Sequence, residues 1–255
     1  MQQPVIYQIL LKSKPLYVKE AVTLFTAGTD ITTAVTDLIN AVVLTFLTYR
    51  LIRRGVKQKR DKLWITAFVL FIMVSVTGFF IHGLTATDDP DINEILQRVM
   101  IVELAFMLTF FMVAMFCDVY GERVLQKALP VCLALGAVFS TVAISVMHFT
   151  SYKFGFRVFI VYCVACLLVM ITVLLKHRNE HEGFDEYLWA VMILAAANCV
   201  QMIKIIKFSL IWDFNHNSVY HVILLVFALV LYTGICRYGD SLRDSLQRMS
   251  KHRKS

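Results

Sequence analysis

Seven apolar runs of about 20 residues dominate the chain, near 30–50, 63–83, 96–117, 128–148, 156–175, 187–210 and 217–236. About 20 helical residues cross the hydrocarbon core of a bilayer. A segment inside lipid must satisfy its own backbone hydrogen bonds, which leaves helices or closed barrels. These runs lack the ten-residue alternating pattern of barrel strands, so they are read as helices. Composition agrees: 58% of the 255 residues are apolar and 17% charged, and mean hydropathy is +0.68. Soluble domains are roughly 45–50% apolar and about 25% charged. A soluble globular domain, a disordered chain and a disulfide-stapled mini-domain are therefore excluded. The expected fold is all-α: a polytopic membrane protein with a seven-transmembrane-helix bundle over 29–238. An outer interfacial segment over 1–28 precedes it, and a basic cytoplasmic tail over 239–255 follows.

The net charge of +7 is unevenly placed. Of 25 Lys and Arg, 17 fall on one side: seven between Arg50 and Lys62, then Arg123, Lys127, Lys176, Arg178 and six in the tail from Arg237. The positive-inside rule makes that side cytoplasmic, with the N-terminus outside and the C-terminus inside. The basic clusters are topology determinants facing anionic lipid, and no nucleic acid is expected. The acidic connection Asp88-Asp89-Pro90-Asp91 is then outside. Residues 4–27 read as an outer interfacial helix with Tyr7 and Tyr17 at headgroup level. The expected location is the bacterial inner membrane.

Six cysteines all lie in or at the ends of the spans, and no disulfide framework is expected. Cys163-x-x-Cys166 has metal-site spacing, but in a membrane helix small thiols are packing residues. Gly136 and Ser140, and Ala137, Thr141 and Ser145, are spaced for close helix approach.

Ionisable residues within spans are costly and mark function by default, and their depth is informative. Asp37, His82, Glu103, Gln201, Asn217 and His221 all fall in the outer half of five different helices, and no comparable set is expected in the inner half. Asp30 reads as a charge at the start of helix 1, favoured by the helix dipole. Asp30 and Asp37 are seven apart, about 20° off one helix face. Ser75 lies on the His82 face. Asn217 and His221 are four apart and address one point. His216 and His221 are about 140° apart and do not. Lys204 and Lys207 are expected to snorkel outward.

His82, His221 and Asp37, with Asn217, form a candidate ligand set for zinc. Zinc would lower the pKa of a bound water, and Asp37 or Glu103 would act as base. Gln201, Ser75 and His216 are candidate substrate contacts. Three functions remain open at this point: a metal-dependent hydrolase of a lipid amide or ester, a seven-helix receptor binding a small molecule or lipid, and a transporter or proton channel. Against transport, the inner half shows no matching polar path. A retinal pump is excluded because 217–236 holds no Lys.

Thr36-Asp37, Phe80-Ile81-His82-Gly83 and Asn215-His216-Asn217-Ser218-Val219-Tyr220-His221 resemble a group of bacterial seven-helix membrane proteins with no established activity. More distantly, the layout resembles the CREST superfamily, which includes alkaline ceramidases, the progestin and adiponectin receptor relatives, and Per1-type lipid-remodelling proteins. That resemblance implies zinc held by a His ending helix 2 and a His-x3-His pair opening helix 7, and hydrolysis of a lipid. It places His82, Asn217 and His221 at the ligand positions. The chain departs from that pattern at Asn217, where the family has His, and at Gly78, where it has Ser.

Overall fold

The structure is a computed structural model that describes residues 30–55, 58–84, 90–203, 207–209 and 213–252. The interfacial helix expected over 4–27, Lys204 and the acidic pair Asp88-Asp89 lie outside the described residues. Seven helices are described: α1 (Ile31–Arg53), α2 (Lys59–Gly83), α3 (Pro90–Tyr120), α4 (Leu125–Phe149), α5 (Tyr152–His177), α6 (Phe184–Ile203) and α7 (His216–His252). A 3-10 turn, Glu122–Val124, leads into α4, and a small hairpin precedes α7. Among the described residues, six of the helices, α1 to α5 and α7, are long and apolar enough to cross a membrane, and the chain is a helical multi-pass membrane protein.

Consecutive helices pack side by side, and α7 returns to pack on both α6 and α1, closing the bundle. Helix α3 also touches α5. Aromatic rings fill the centre. Phe111 of α3 meets Phe68, Phe71 and Phe227 edge-on, with centroids 6.4, 6.1 and 5.6 Å away. Large apolar side chains such as Val42, Phe46, Val138, Val161, Leu168 and Trp189 point outward, as a helix solvated by lipid requires.

Three expectations need correction. The run over 187–210 is not one helix. Helix α6 ends at Ile203, and Lys207–Ser209 pairs antiparallel with Asp213–Asn215, with Phe208 opposite Phe214. Phe208 and Phe214 are aromatic residues that favour extended backbone. The small-residue stripe is half right: Gly136 and Ser140 are buried, with Thr109 filling the space a Cβ at 136 would need, whereas Ala137, Thr141 and Ser145 face outward. The described cysteines are all free.

The third correction concerns the end opposite Asp37. Helices α2 and α3 run past their apolar segments and bring Arg60 and Asp118 together, both almost fully buried. Arg60 donates to Asp118 through Nε at 2.5 Å and through a terminal nitrogen at 3.0 Å. The Trp64 indole N–H (2.8 Å) and the Tyr187 hydroxyl (2.7 Å) donate to the same carboxylate. The Tyr238 hydroxyl donates to the Asp118 backbone carbonyl at 2.9 Å, and its ring lies under the guanidinium at 4.9 Å. A second polar centre therefore joins α2, α3, α6 and α7. Helix α7 also runs through the expected tail boundary as one helix of 37 residues, about 55 Å at 1.5 Å per residue.

Candidate metal centre

At the Asp37 end, short polar side chains tie three helix termini together. Asp30 caps α1, its carboxylate accepting from the Thr33 amide at 3.1 Å, as its charge at a helix start predicts. Its own N–H donates to the His82 carbonyl, closing α1 onto the end of α2 (3.2 Å). Its other oxygen accepts from the Asn215 side-chain amide at 2.6 Å. Asn215 in turn caps α7: its amide oxygen accepts from the N–H groups of Asn217 (2.9 Å) and Ser218 (3.0 Å). Burial alone would raise the Asp30 pKa, but hydrogen bonds from Thr33 and Asn215 outweigh it and hold the carboxyl below the ordinary range. This carboxyl's contribution is present above its unfolded pKa and is lost as pH falls through the lowered folded value.

One substitution tests this clasp. Asn215→Ala removes the α7 cap and strips Asp30 of a partner, so a loss of about 1–2 kcal/mol is expected in detergent unfolding titrations. A loss no larger than that of a lipid-facing Ala substitution would mean that the clasp carries no stability.

Two turns into α1 from Asp30, Asp37 is 1% exposed. Its Oδ1 lies 2.7 Å from His221 Nδ1 on α7. The His82 ring on α2 stands edge-on to that of His221, with centroids 6.0 Å apart. One donor atom from each of Asp37, His82 and His221 lies within 4.8 Å of the others. Asn40, three residues after Asp37, donates to the His221 carbonyl at 2.9 Å, fixing α7 against α1 (2.9 Å).

Two further features define the carboxylate's setting. Asp37 Oδ2 is buried and has no hydrogen-bond partner among the described residues. A Cβ at Gly78 of α2 would lie 2.7 Å from that oxygen and 3.0 Å from both Cγ and Oδ1. Glycine at 78 is therefore what admits the carboxylate between α1 and α2. A buried carboxylate oxygen without a donor is costly, and a cation shared with two imidazoles would satisfy it. Two nitrogens and one carboxylate oxygen form a donor set that suits zinc.

The other candidate residues are placed around this group. The Asn217 amide oxygen accepts from Gln201 Nε2 at 3.0 Å, so the pair joins α6 to α7. Gln201 Oε1 is buried and has no partner among the described residues. Glu103 on α3 is 7% exposed, with Thr77 of α2 beside its carboxyl, and its Oε2 has no partner among the described residues. Thr77 adjoins Gly78 in sequence, so α2 contacts the carboxyl of Glu103 and that of Asp37 from neighbouring positions. Ser75 is buried on α2, one turn below. His216 is the first residue of α7. Asn215, Ser218, Asn40 and Gly78 contribute here without having been candidate site residues. Asn215 and Ser218 lie in the motif that opens α7 and Gly78 lies four residues before His82, whereas Asn40 carried no signal.

No curated protein matches the chain. A model of the family of unknown function DUF6962 matches residues 32–240, and the chain belongs to that family.

Proposed function

We propose that the protein binds a divalent transition metal, zinc in the first instance, through Asp37, His82 and His221, and hydrolyses an amide or ester of a lipid that enters from the outer leaflet. The observation that carries this reading is the meeting of one carboxylate and two imidazoles from three helices, with a buried carboxylate oxygen that has no donor among the described residues. A metal with an open coordination position supplies a water of lowered pKa. Around it, Asp37 and the two histidines hold the ion, and the Asn40 bond to the His221 carbonyl keeps α7 in register. Glu103, with Thr77 beside its carboxyl and its Oε2 without a partner among the described residues, is the group placed to accept a proton. Gln201 presents a buried acceptor to a lipid amide. The distant resemblance to the CREST superfamily supports the same chemistry, and the positive-inside rule supports an outer-leaflet position for the site.

The 2.7 Å contact between Asp37 and His221 favours a second reading, a receptor whose buried hydrogen-bonded pair recognises a small molecule or lipid headgroup without turnover. Metal analysis separates the two. Protein purified in detergent without chelator is expected to carry about one zinc per chain, and His82→Ala and His221→Ala to carry none while remaining folded. Metal-free wild-type protein that also takes up no added zinc overturns the hydrolase.

A further inference from the structure

A cavity of about 340 Å³ opens at the end of the bundle opposite Asp37, between the end of α1, the start of α2 and the last turns of α7. That volume is in the range of small-ligand sites. Its lining mixes two chemistries. Leu51, Ile65, Ile235 and Leu242 are apolar. Arg54, Arg60 and Arg243 bring donors, and Asp61 is the one lining carboxylate among the described residues.

The three guanidiniums are not equivalent. Arg60 is fixed, since Asp118 holds two of its nitrogens and Asp61 the third at 3.0 Å. Arg54 and Arg243 instead share one carboxylate, Asp240, at 2.5 and 3.7 Å. That carboxylate is 53% exposed, and ion pairs in such a setting are weak. Two arginines on one weakly held carboxylate leave fork-shaped donors for a stronger anion. A phosphate accepts bidentate bonds from guanidinium, offers more acceptor oxygens than Asp240, and as a monoester also carries more charge. The surrounding end of the chain is strongly basic, with Arg50, Arg53, Lys59 and Arg237 nearby in sequence. Basic pockets between membrane helices at such an end are suited to phosphorylated head groups.

We propose that this cavity binds the phosphate of an amphiphilic or soluble phosphate ester. Arg54 and Arg243 grip the phosphate in place of Asp240, and the apolar lining residues receive the carbon portion of the ligand. This site is separate from Asp37, His82 and His221, and does not depend on a metal there. Occupancy would bridge α1 to α7 on the face opposite the metal-ligating residues.

Two probes distinguish the source of the phosphate. Full-length protein is released for native mass spectrometry from nanodiscs of phosphatidylcholine containing roughly one-third phosphatidylglycerol. In parallel, its melting temperature in neutral detergent is followed with inorganic phosphate against chloride of equal ionic strength. Retained phosphatidylglycerol identifies a lipid; a rise in melting temperature with phosphate alone identifies a soluble ester. In either case the response is expected to weaken roughly tenfold or more in Arg54→Gln/Arg243→Gln. Gln247→Trp, which fills the cavity from its lining and leaves every charge in place, should lose it too. The double variant removes only exposed pairs, so its ligand-free melting temperature is expected to stay close to wild type. Absence of both responses in the wild type, or equal responses in the variants, overturns the proposal.

Discussion

Asp118→Ala is expected to cost about 3–5 kcal/mol of stability, the largest effect of any single polar substitution in the bundle. The reason is the number of groups it strands. Arg60 is buried with two nitrogens on this carboxylate, and Trp64 and Tyr187 each donate their only polar hydrogen to it. Truncation leaves a buried guanidinium, an indole N–H and a phenol without their acceptor. Asp61, at 3.0 Å from the far side of Arg60, offsets part of the charge but reaches neither Trp64 nor Tyr187. Asp118→Asn keeps the shape and loses the charge, so it should fall between wild type and Ala. The double change Arg60→Met/Asp118→Leu removes both charges and should recover the part of the loss due to the stranded guanidinium, but not the part due to Trp64 and Tyr187, which still lack their acceptor. Asp240→Ala, which breaks only exposed pairs, should cost under about 1 kcal/mol. Unfolding titrations in detergent measure all four. A loss below about 1 kcal/mol for Asp118→Ala would show that water already reaches this node.

The contrast between the two polar centres shows what the sequence makes legible. Asp37, His82 and His221 stand out because each is an ionisable residue inside or at the edge of an apolar run, and depth along the runs places them at one end. Arg60 and Asp118 have the same chemistry but lie just outside the runs over 63–83 and 96–117. Arg60 is hidden among seven basic residues that all read as topology signals, and nothing in spacing alone pairs it with an acid 58 positions away. The helices extend to include them because each satisfies the other. The same limit explains the hairpin before α7: Lys207 fits a helix end in lipid as well as a strand, and only pairing between Phe208 and Phe214 decides. Convergence of three side chains on different helices is likewise a tertiary fact. Sequence places them at one depth, and packing of α1 against both α2 and α7 brings them together.

Gly78→Ala is expected to weaken metal binding by roughly 10–100-fold while leaving the protein folded. An added methyl at 78 would stand 2.7 Å from Asp37 Oδ2, closer than carbon and oxygen tolerate, so one side must move. The backbone of α2 is held by its helical hydrogen bonds and by packing against α1 and α3. The carboxylate is the end of a short side chain that rotates about two bonds, so it yields first. Rotation carries the oxygens away from the point shared with His82 and His221 and breaks the 2.7 Å contact to His221 Nδ1. The sign of the stability change makes the test specific. In the interior of a helix, Gly→Ala ordinarily stabilises by about 0.5–1 kcal/mol. In the wild-type background the clash cancels that gain. In an Asp37→Ala background the clash is gone, so Gly78→Ala should show the full gain, and the two substitutions should be non-additive by about 1 kcal/mol. Zinc titration of the single variant and thermal unfolding of all four combinations supply the measurements. Additive stabilities together with unchanged zinc affinity would mean that the carboxylate does not occupy the space above Gly78.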